Sequence, residues 1–215
     1  KRDFFSYGEI MENVRTLEEI LKTMRSHNTA DVALVEHAYH FAEQAHHGQK
    51  RYSGDPYFLH VAAVAYTLAS MGMDTASIVA GLLHDTIEDA KVSGEDLEKE
   101  FGKEIYALVD GVTKLGKLKY HGAERHVESL RKLFVSTAKD LRVIIIKLAD
   151  RLHNVSTLKY VPKEKQRRIA LETLEIYAPI ANRLSIGKLK GELEDYAFPF
   201  AYPDLYEKTQ SVIRE

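Results

Sequence analysis

The chain is 215 residues long, 45% hydrophobic and 29% charged, with a net charge of −2 and no cysteine. That length supports one compact domain with a sizeable core, or one domain and a small appendage. The near-neutral balance excludes a global basic field for nucleic acid or anionic membrane, and the lack of cysteine excludes disulfides, thiolate metal sites and cysteine nucleophiles. The opening "KRDFFSYGEI" has no apolar signal core. The longest stretch without Asp, Glu, Lys or Arg, Tyr57 to Met73, is short for a membrane span. A cytoplasmic chain with neither membrane nor nucleic acid as partner is the expectation.

Helical periodicity dominates from end to end. One helix precedes His27. Asn28-Thr29 introduces a second that runs toward His47, with Gly48 as its end cap. "RYSGDP" reads as a loop, and Pro56 takes the first position of the next helix. Met71-Gly72 ends that helix, and Asp74 caps the one leading into His84. "SGED" at 93–96 starts another, and Gly111 and Gly116 bracket a loop. Three consecutive isoleucines, Ile144 to Ile146, suggest a strand when taken alone. They lie in "KDLRVIIIKLADRLHNVSTLKY", where Leu141, Ile144, Ile145, Leu148, Leu152 and Val155 recur at three and four, so the segment is a helix. Pro162, Ala178-Pro179 and Pro199 to Pro203 mark later boundaries. The expected fold is all-α, a bundle of roughly ten helices.

The stretch "GLLHDTIEDA" poses a chemical problem. Leu82 and Leu83 run directly into His84 and Asp85, and Glu88 and Asp89 follow within a turn. Carboxylates are seldom buried unless paired or bound to a cation. Two other apolar helices carry matching intruders. His60 sits in "DPYFLHVAAVAY", and Asp150, Asn154 and Thr157 form a polar stripe at i, i+4 and i+7. Two neutral imidazoles and two carboxylates, His60, His84, Asp85 and Asp150, form a ligand set suited to Mn²⁺, Fe²⁺ or Zn²⁺. Their order, His…His-Asp…Asp, is the pattern of HD-type metal-dependent phosphohydrolases. Glu88 and Asp89 are left to orient or deprotonate a water.

Other polar clusters have simpler readings. His37, His40, His46 and His47 read as structural or surface groups, the last two favoured by the negative end of a helix. His121 and His126 flank a loop and a helix start without an evident partner. "KEKQRR" at 163–168 reads as a solvated face, with Arg168 able to turn toward a phosphate. Lys114 and Lys117, in the glycine-bracketed loop, are candidate phosphate contacts.

"HHGQKRYSGDPYFLH", "GLLHDTIEDA", "DGVTKLGKLKY", "KLADRLHNVSTL" and "EIYAPIANRLSIGKLKGELEDYAF" together resemble the hydrolase domain of the Rel/Spo stringent-response enzymes. The resemblance runs from about Ala33 to Ala201. It implies an HD-type domain over 1–200 that hydrolyses the guanine alarmone (p)ppGpp at its 3′ position to GDP or GTP plus pyrophosphate. It further implies one Mn²⁺ on His60, His84, Asp85 and Asp150, and a water activated by Glu88 and Asp89. Arg51, Ser53, Asn154 and Thr157 would line the nucleotide pocket. Residues 201–215 would form a C-terminal helix beginning a linker to a covalently attached synthetase domain. Two positions depart from the family pattern. Tyr52 stands where a lysine is common, and Gly191 where a tryptophan is frequent. Other readings of the same residues are a phosphohydrolase of another nucleotide (an adenine alarmone, NADPH, a dNTP) and a non-catalytic alarmone-sensing module.

Overall fold

A computed structural model describes residues 15–26, 31–116 and 140–214. In chain order the helices are α1 (Leu17–Ser26), α2 (Val32–Ala45), α3 (Phe58–Ser70), α4 (Thr75–Leu83), α5 (Thr86–Asp89), α6 (Gly94–Gly116) and α7 (Leu141–Ser156). A 3₁₀ turn, Leu158–Tyr160, leads to α8 (Lys163–Glu172), and a π turn, Thr173–Tyr177, joins α8 to α9 (Ala178–Arg183). Then come α10 (Gly187–Ala201) and α11 (Pro203–Arg214). No strand occurs among the described residues, only an isolated bridge between Lys50 and Pro56. The all-α expectation holds.

The centre is built by α3, α4 and α7. In α3, Val61, Ala62, Val64, Ala65 and Leu68 are fully buried. In α4 the same is true of Ile78, Val79, Ala80, Leu82 and Leu83, and in α7 of Ile146, Leu148 and Ala149. Helices α3 and α4 are apolar nearly all round, which is the signature of central helices. Helix α3 packs against α4, α7 and α1. Helices α2 and α6 cover α4, and α10 covers α7. The three elements that bring His60, His84 and Asp150 are therefore direct neighbours.

Short polar side chains start the helices. Asp31 accepts from Leu34 N at 3.1 Å, and Asp74 accepts from Ser77 N at 2.8 Å. Ser93 accepts from Asp96 N at 3.0 Å and donates to its carboxylate at 2.6 Å, so "SGED" does open α6. Met71 caps α3, as the sequence indicates.

Several boundaries differ from expectation, beginning with α2, which ends at Ala45 with His46, not Gly48, as its cap. Helix α3 begins at Phe58, because Pro56 is used to close the preceding loop: Tyr57 N donates to Gln49 O at 2.9 Å and Arg51 N to Asp55 O at 3.0 Å. Gly111 and Gly116 do not bracket a loop. Both lie in α6, and a Cβ at Gly111 would sit 2.9 Å from Val143 Cγ2, so the glycine serves close packing of α6 on α7. Ala178-Pro179 does not end a helix, because the π turn immediately before it lets the rod continue. Pro199 lies within α10, which ends two residues later at Ala201. Pro162 and Pro203 do mark boundaries. Asn28-Thr29, Lys117, His121 and His126 lie outside the described residues.

One cation ties three elements together. The Arg142 guanidinium donates to Asp140 at 2.7 Å, to Asp74 at 2.8 Å and to Glu104 at 2.7 Å, joining the starts of α4 and α7 to α6. Its hydrogen bonds hold the Asp140 carboxyl below its ordinary value. At Asp74 burial works the other way, but hydrogen bonds from Ser77 and Arg142 prevail and lower it too. Depressed carboxylates stabilise the fold above the unfolded value of about 3.9 and lose that contribution as pH falls through the folded value. Arg142→Met should lower the melting temperature at pH 7 by the equivalent of about 1 kcal/mol, given the exposure of its partners. Melting curves across pH should show that deficit shrinking below about pH 4, where the carboxylates protonate in both proteins.

Candidate active site

Helix α4 stops at Leu83 and short helix α5 starts at Thr86, so His84 and Asp85 form a turn between them. The expected continuous helix is interrupted here, although Asp89 N still donates to Asp85 O at 2.8 Å. His84 Nδ1 lies 2.8 Å from Gly81 O, a carbonyl that only accepts, so Nδ1 carries a proton, and in the neutral ring the lone pair falls to Nε2. That Nε2 is buried and has no hydrogen-bond partner.

Three other donor atoms surround this lone pair. Asp85 Oδ2 is 3.1 Å from His84 Nε2 and 3.5 Å from His60 Nε2. Asp150 Oδ1 is 3.2 Å from His60 Nε2 and 3.8 Å from His84 Nε2. His60, His84 and Asp150 are all buried, with one ligand atom each lying within 4.8 Å of the others, a group that can hold a metal ion. Ligand bonds of about 2.1 Å put neighbouring donors about 3.0–3.4 Å apart; the contacts of 3.1 and 3.2 Å fall in that range, and those of 3.5 and 3.8 Å lie just beyond it. Buried donors crowded this closely, with one imidazole lone pair unanswered, fit a divalent cation.

The surrounding shell fixes each ligand. His60 Nδ1 lies 2.9 Å from His153 Nδ1. Burial, with repulsion from His60 and Arg51, pushes His153 well below the ordinary imidazole value, so it is neutral and can accept from His60. His60 Nε2 is thereby left free to face the cluster. Asp150 receives Lys147 Nζ at 2.6 Å on Oδ2 and Asn154 Nδ2 at 2.5 Å on Oδ1. Burial penalises its charge, yet the Lys147 ammonium and the two imidazoles hold the carboxyl well below the usual range. At His84 burial disfavours a proton, but Asp85 and Asp150 raise it to about 10. Tyr57 Oη sits 2.7 Å from Asp85 Oδ2 and 2.8 Å from Asp89 Oδ2.

A cavity of about 360 Å³ opens beside the cluster, with His60 and His153 in its wall. It follows α3 from Leu59 to Met71 and is closed by Leu152, Ser156 and Thr157 of the α7 end and by Leu189 and Tyr196 of α10. Arg51 and Ser53 stand at its rim side, from the loop ahead of α3.

An HD domain model matches residues 38–187. The chain belongs to the HD domain family. Curated relatives include a GTP pyrophosphokinase of Streptomyces coelicolor, 49% identical over 93% of this chain and 24% of its own length. A guanosine-3′,5′-bis(diphosphate) 3′-pyrophosphohydrolase of Aquifex aeolicus is 46% identical over 93% of this chain and 28% of its own. The bifunctional (p)ppGpp synthase/hydrolase SpoT of Escherichia coli is 48% identical over 82% and 25%. The chain thus spans about a quarter of the length of these relatives. A solved structure described as a metazoan ortholog of SpoT that hydrolyzes ppGpp superposes with a TM-score of 0.58 and 25% identity, covering 80% of this chain and 96% of that one. No helix among the described residues is long and apolar enough to cross a membrane.

Within this HD domain, the four expected ligand residues come together. Glu88 and Asp89 are adjacent to them in α5 and exposed. Arg51, Ser53 and Thr157 line the cavity, whereas Asn154 bridges, donating to Asp150 and accepting from Arg51 at 2.7 Å. Lys114 lies in α6, paired with Asp110, and not in a loop. The sequence offers Lys147 and Arg151 as ion-pair partners of Asp150, and Lys147 is the one that pairs with it. Sequence reasoning passed over Tyr57 and His153; His153 was recognisable as an imidazole three residues after Asp150, and Tyr57 gave no signal. His46, read as structural or surface, is buried, where its ring stacks on Tyr57 at 4.9 Å.

Chelator-stripped protein titrated with a divalent cation should melt at higher temperature, by about 2.7 kcal/mol of stabilisation at a hundredfold excess over the dissociation constant. Asp150→Asn should abolish that rise when followed by scanning calorimetry.

Proposed function

We propose that this domain hydrolyses the 3′-diphosphate of (p)ppGpp, giving GDP or GTP and pyrophosphate, with Mn²⁺ held by His60, His84, Asp85 and Asp150. The observation carrying the reading is the buried, unpartnered Nε2 of His84 amid three further donor atoms, with a carboxylate pair one turn away. The names of relatives at 46–49% identity supply the substrate class. The cation when bound supplies Lewis acidity and makes water a better nucleophile at neutral pH.

The residues of the chain do the rest. Arg51, preorganised by Asn154, presents a planar fork to the nucleotide, and Ser53 and Thr157 add hydroxyls on the same wall. The apolar wall of Ala63, Leu152 and Leu189 excludes water from the nucleoside. The Glu88–Asp89 pair takes one proton from the attacking water, whose oxygen bonds to the phosphorus carried by the ribose 3′ oxygen as that P–O bond breaks. The leaving 3′ oxygen takes up one proton, so the carboxylate pair, by passing its own on, ends the cycle unprotonated. Little covalent assistance is required for such a transfer, and position and charge complementarity provide most of the rate. Tyr52, exposed and within 3.3 Å of Lys165 Nζ, offers a ring to a base at the position where a lysine is common.

Mn²⁺-loaded protein offered ppGpp, an adenine alarmone, NADPH and dNTPs should release pyrophosphate from ppGpp; release from another nucleotide instead would reassign the substrate, and binding without turnover would make it a sensor. Glu88→Gln should retain the metal and slow turnover about 10²-fold. Arg51→Ala should raise KM with a smaller effect on kcat, read from steady-state kinetics on the same substrate.

A further inference from the structure

We infer that Tyr57 is a positioning residue that sets the Asp89 carboxylate against the metal ligands, held in turn by His46 and Gln49. This rests on the proposed phosphohydrolase reading for its kinetic consequence, though not for its geometry.

Asp89 is exposed and ends a four-residue helix, a place where a carboxylate would ordinarily sample many rotamers. Here it is gripped twice. Tyr57 Oη reaches its Oδ2 at 2.8 Å, and Gln49 Nε2 donates to its backbone carbonyl at 2.8 Å. Both grips come from the loop between α2 and α3, forty and thirty-two residues away in sequence. That loop is itself fastened: Tyr57 N donates to Gln49 O at 2.9 Å. The Tyr57 ring is stacked on His46, whose Nδ1 lies 2.9 Å from Gln49 Oε1. The same ring meets His60 edge-on at 5.7 Å. A phenol has one hydrogen, yet Tyr57 faces Asp85 Oδ2 and Asp89 Oδ2 at nearly equal distance. Asp85 Oδ2 is also the oxygen turned to the two imidazoles. Once that oxygen is occupied by a cation, the phenolic hydrogen is left to Asp89. The hydroxyl thus orients the carboxylate that receives the proton beside a ligand oxygen.

Tyr57→Phe keeps the ring contacts and deletes only the hydroxyl, so melting temperature and Mn²⁺ content should stay near wild type. Turnover of ppGpp should fall about tenfold or more with KM within about twofold. Added to Asp89→Asn, the same change should cost less than about twofold further, because both act through one group. Independent multiplication of the two losses, unchanged kcat, or a parallel loss of bound Mn²⁺ would overturn the assignment. In metal-free protein, the Asp89 carboxyl ¹³C resonance, identified by its absence in Asp89→Asn, should move in Tyr57→Phe at fixed pH; a resonance that stays in place also overturns it. Wild-type protein inactive on ppGpp would refute the substrate reading, while the resonance would still decide the contact.

Discussion

The structure depends on how two carboxylates can remain charged inside a helical core. Asp85 and Asp150 are nearly inaccessible, and their negative charge would be costly if left alone. Two imidazoles and one ammonium answer them: His60 and His84 face both carboxylates, and Lys147 covers the outer oxygen of Asp150. The arrangement is satisfied except at His84 Nε2. Everything around it, from the Gly81 carbonyl to the His153 ring, serves to keep the lone pairs pointing inward.

That requirement explains the choice of elements. Helices α3 and α4 are apolar nearly all round, α7 turns an apolar face to both, and each is neighbour to the other two, so His60, His84 and Asp150 converge through packing. At the junction of α4 and α5, His84 Nε2 and Asp85 Oδ2 meet at 3.1 Å, and the Asp89-to-Asp85 backbone hydrogen bond keeps the carboxylate pair of α5 close by.

Much of this was written in local pattern. The apolar periodicity around Ile144 to Ile146 outweighed their β-branching, and Asp74 and Ser93 announced their helices through side-chain caps. The convergence of His60, His84 and Asp150 was readable because a polar residue inside an apolar helix is conspicuous. What escaped was contact-dependent. Gly111 looks like punctuation in one dimension and is a packing device in three. Pro179 reads as a stop, but a π turn absorbs it. Tyr57 sits in a loop like any tyrosine, and only the arrival of α5 from thirty residues on gives its hydroxyl an employer. His46 follows the same rule: its value lies in the ring it backs.

The close passage of α6 over α7 has a mechanical corollary. Val143 is a stiff, β-branched residue two helical turns before Asp150 on the same rod. A methyl group placed at 111 would have to lever that rod away from its bed, and the lever arm ends at a ligand whose tolerance is a few tenths of an ångström. A hydrogen atom on the outer layer of the bundle, more than ten ångströms from the chemistry by the rise of the helix, therefore acts as a spacer gauge for it.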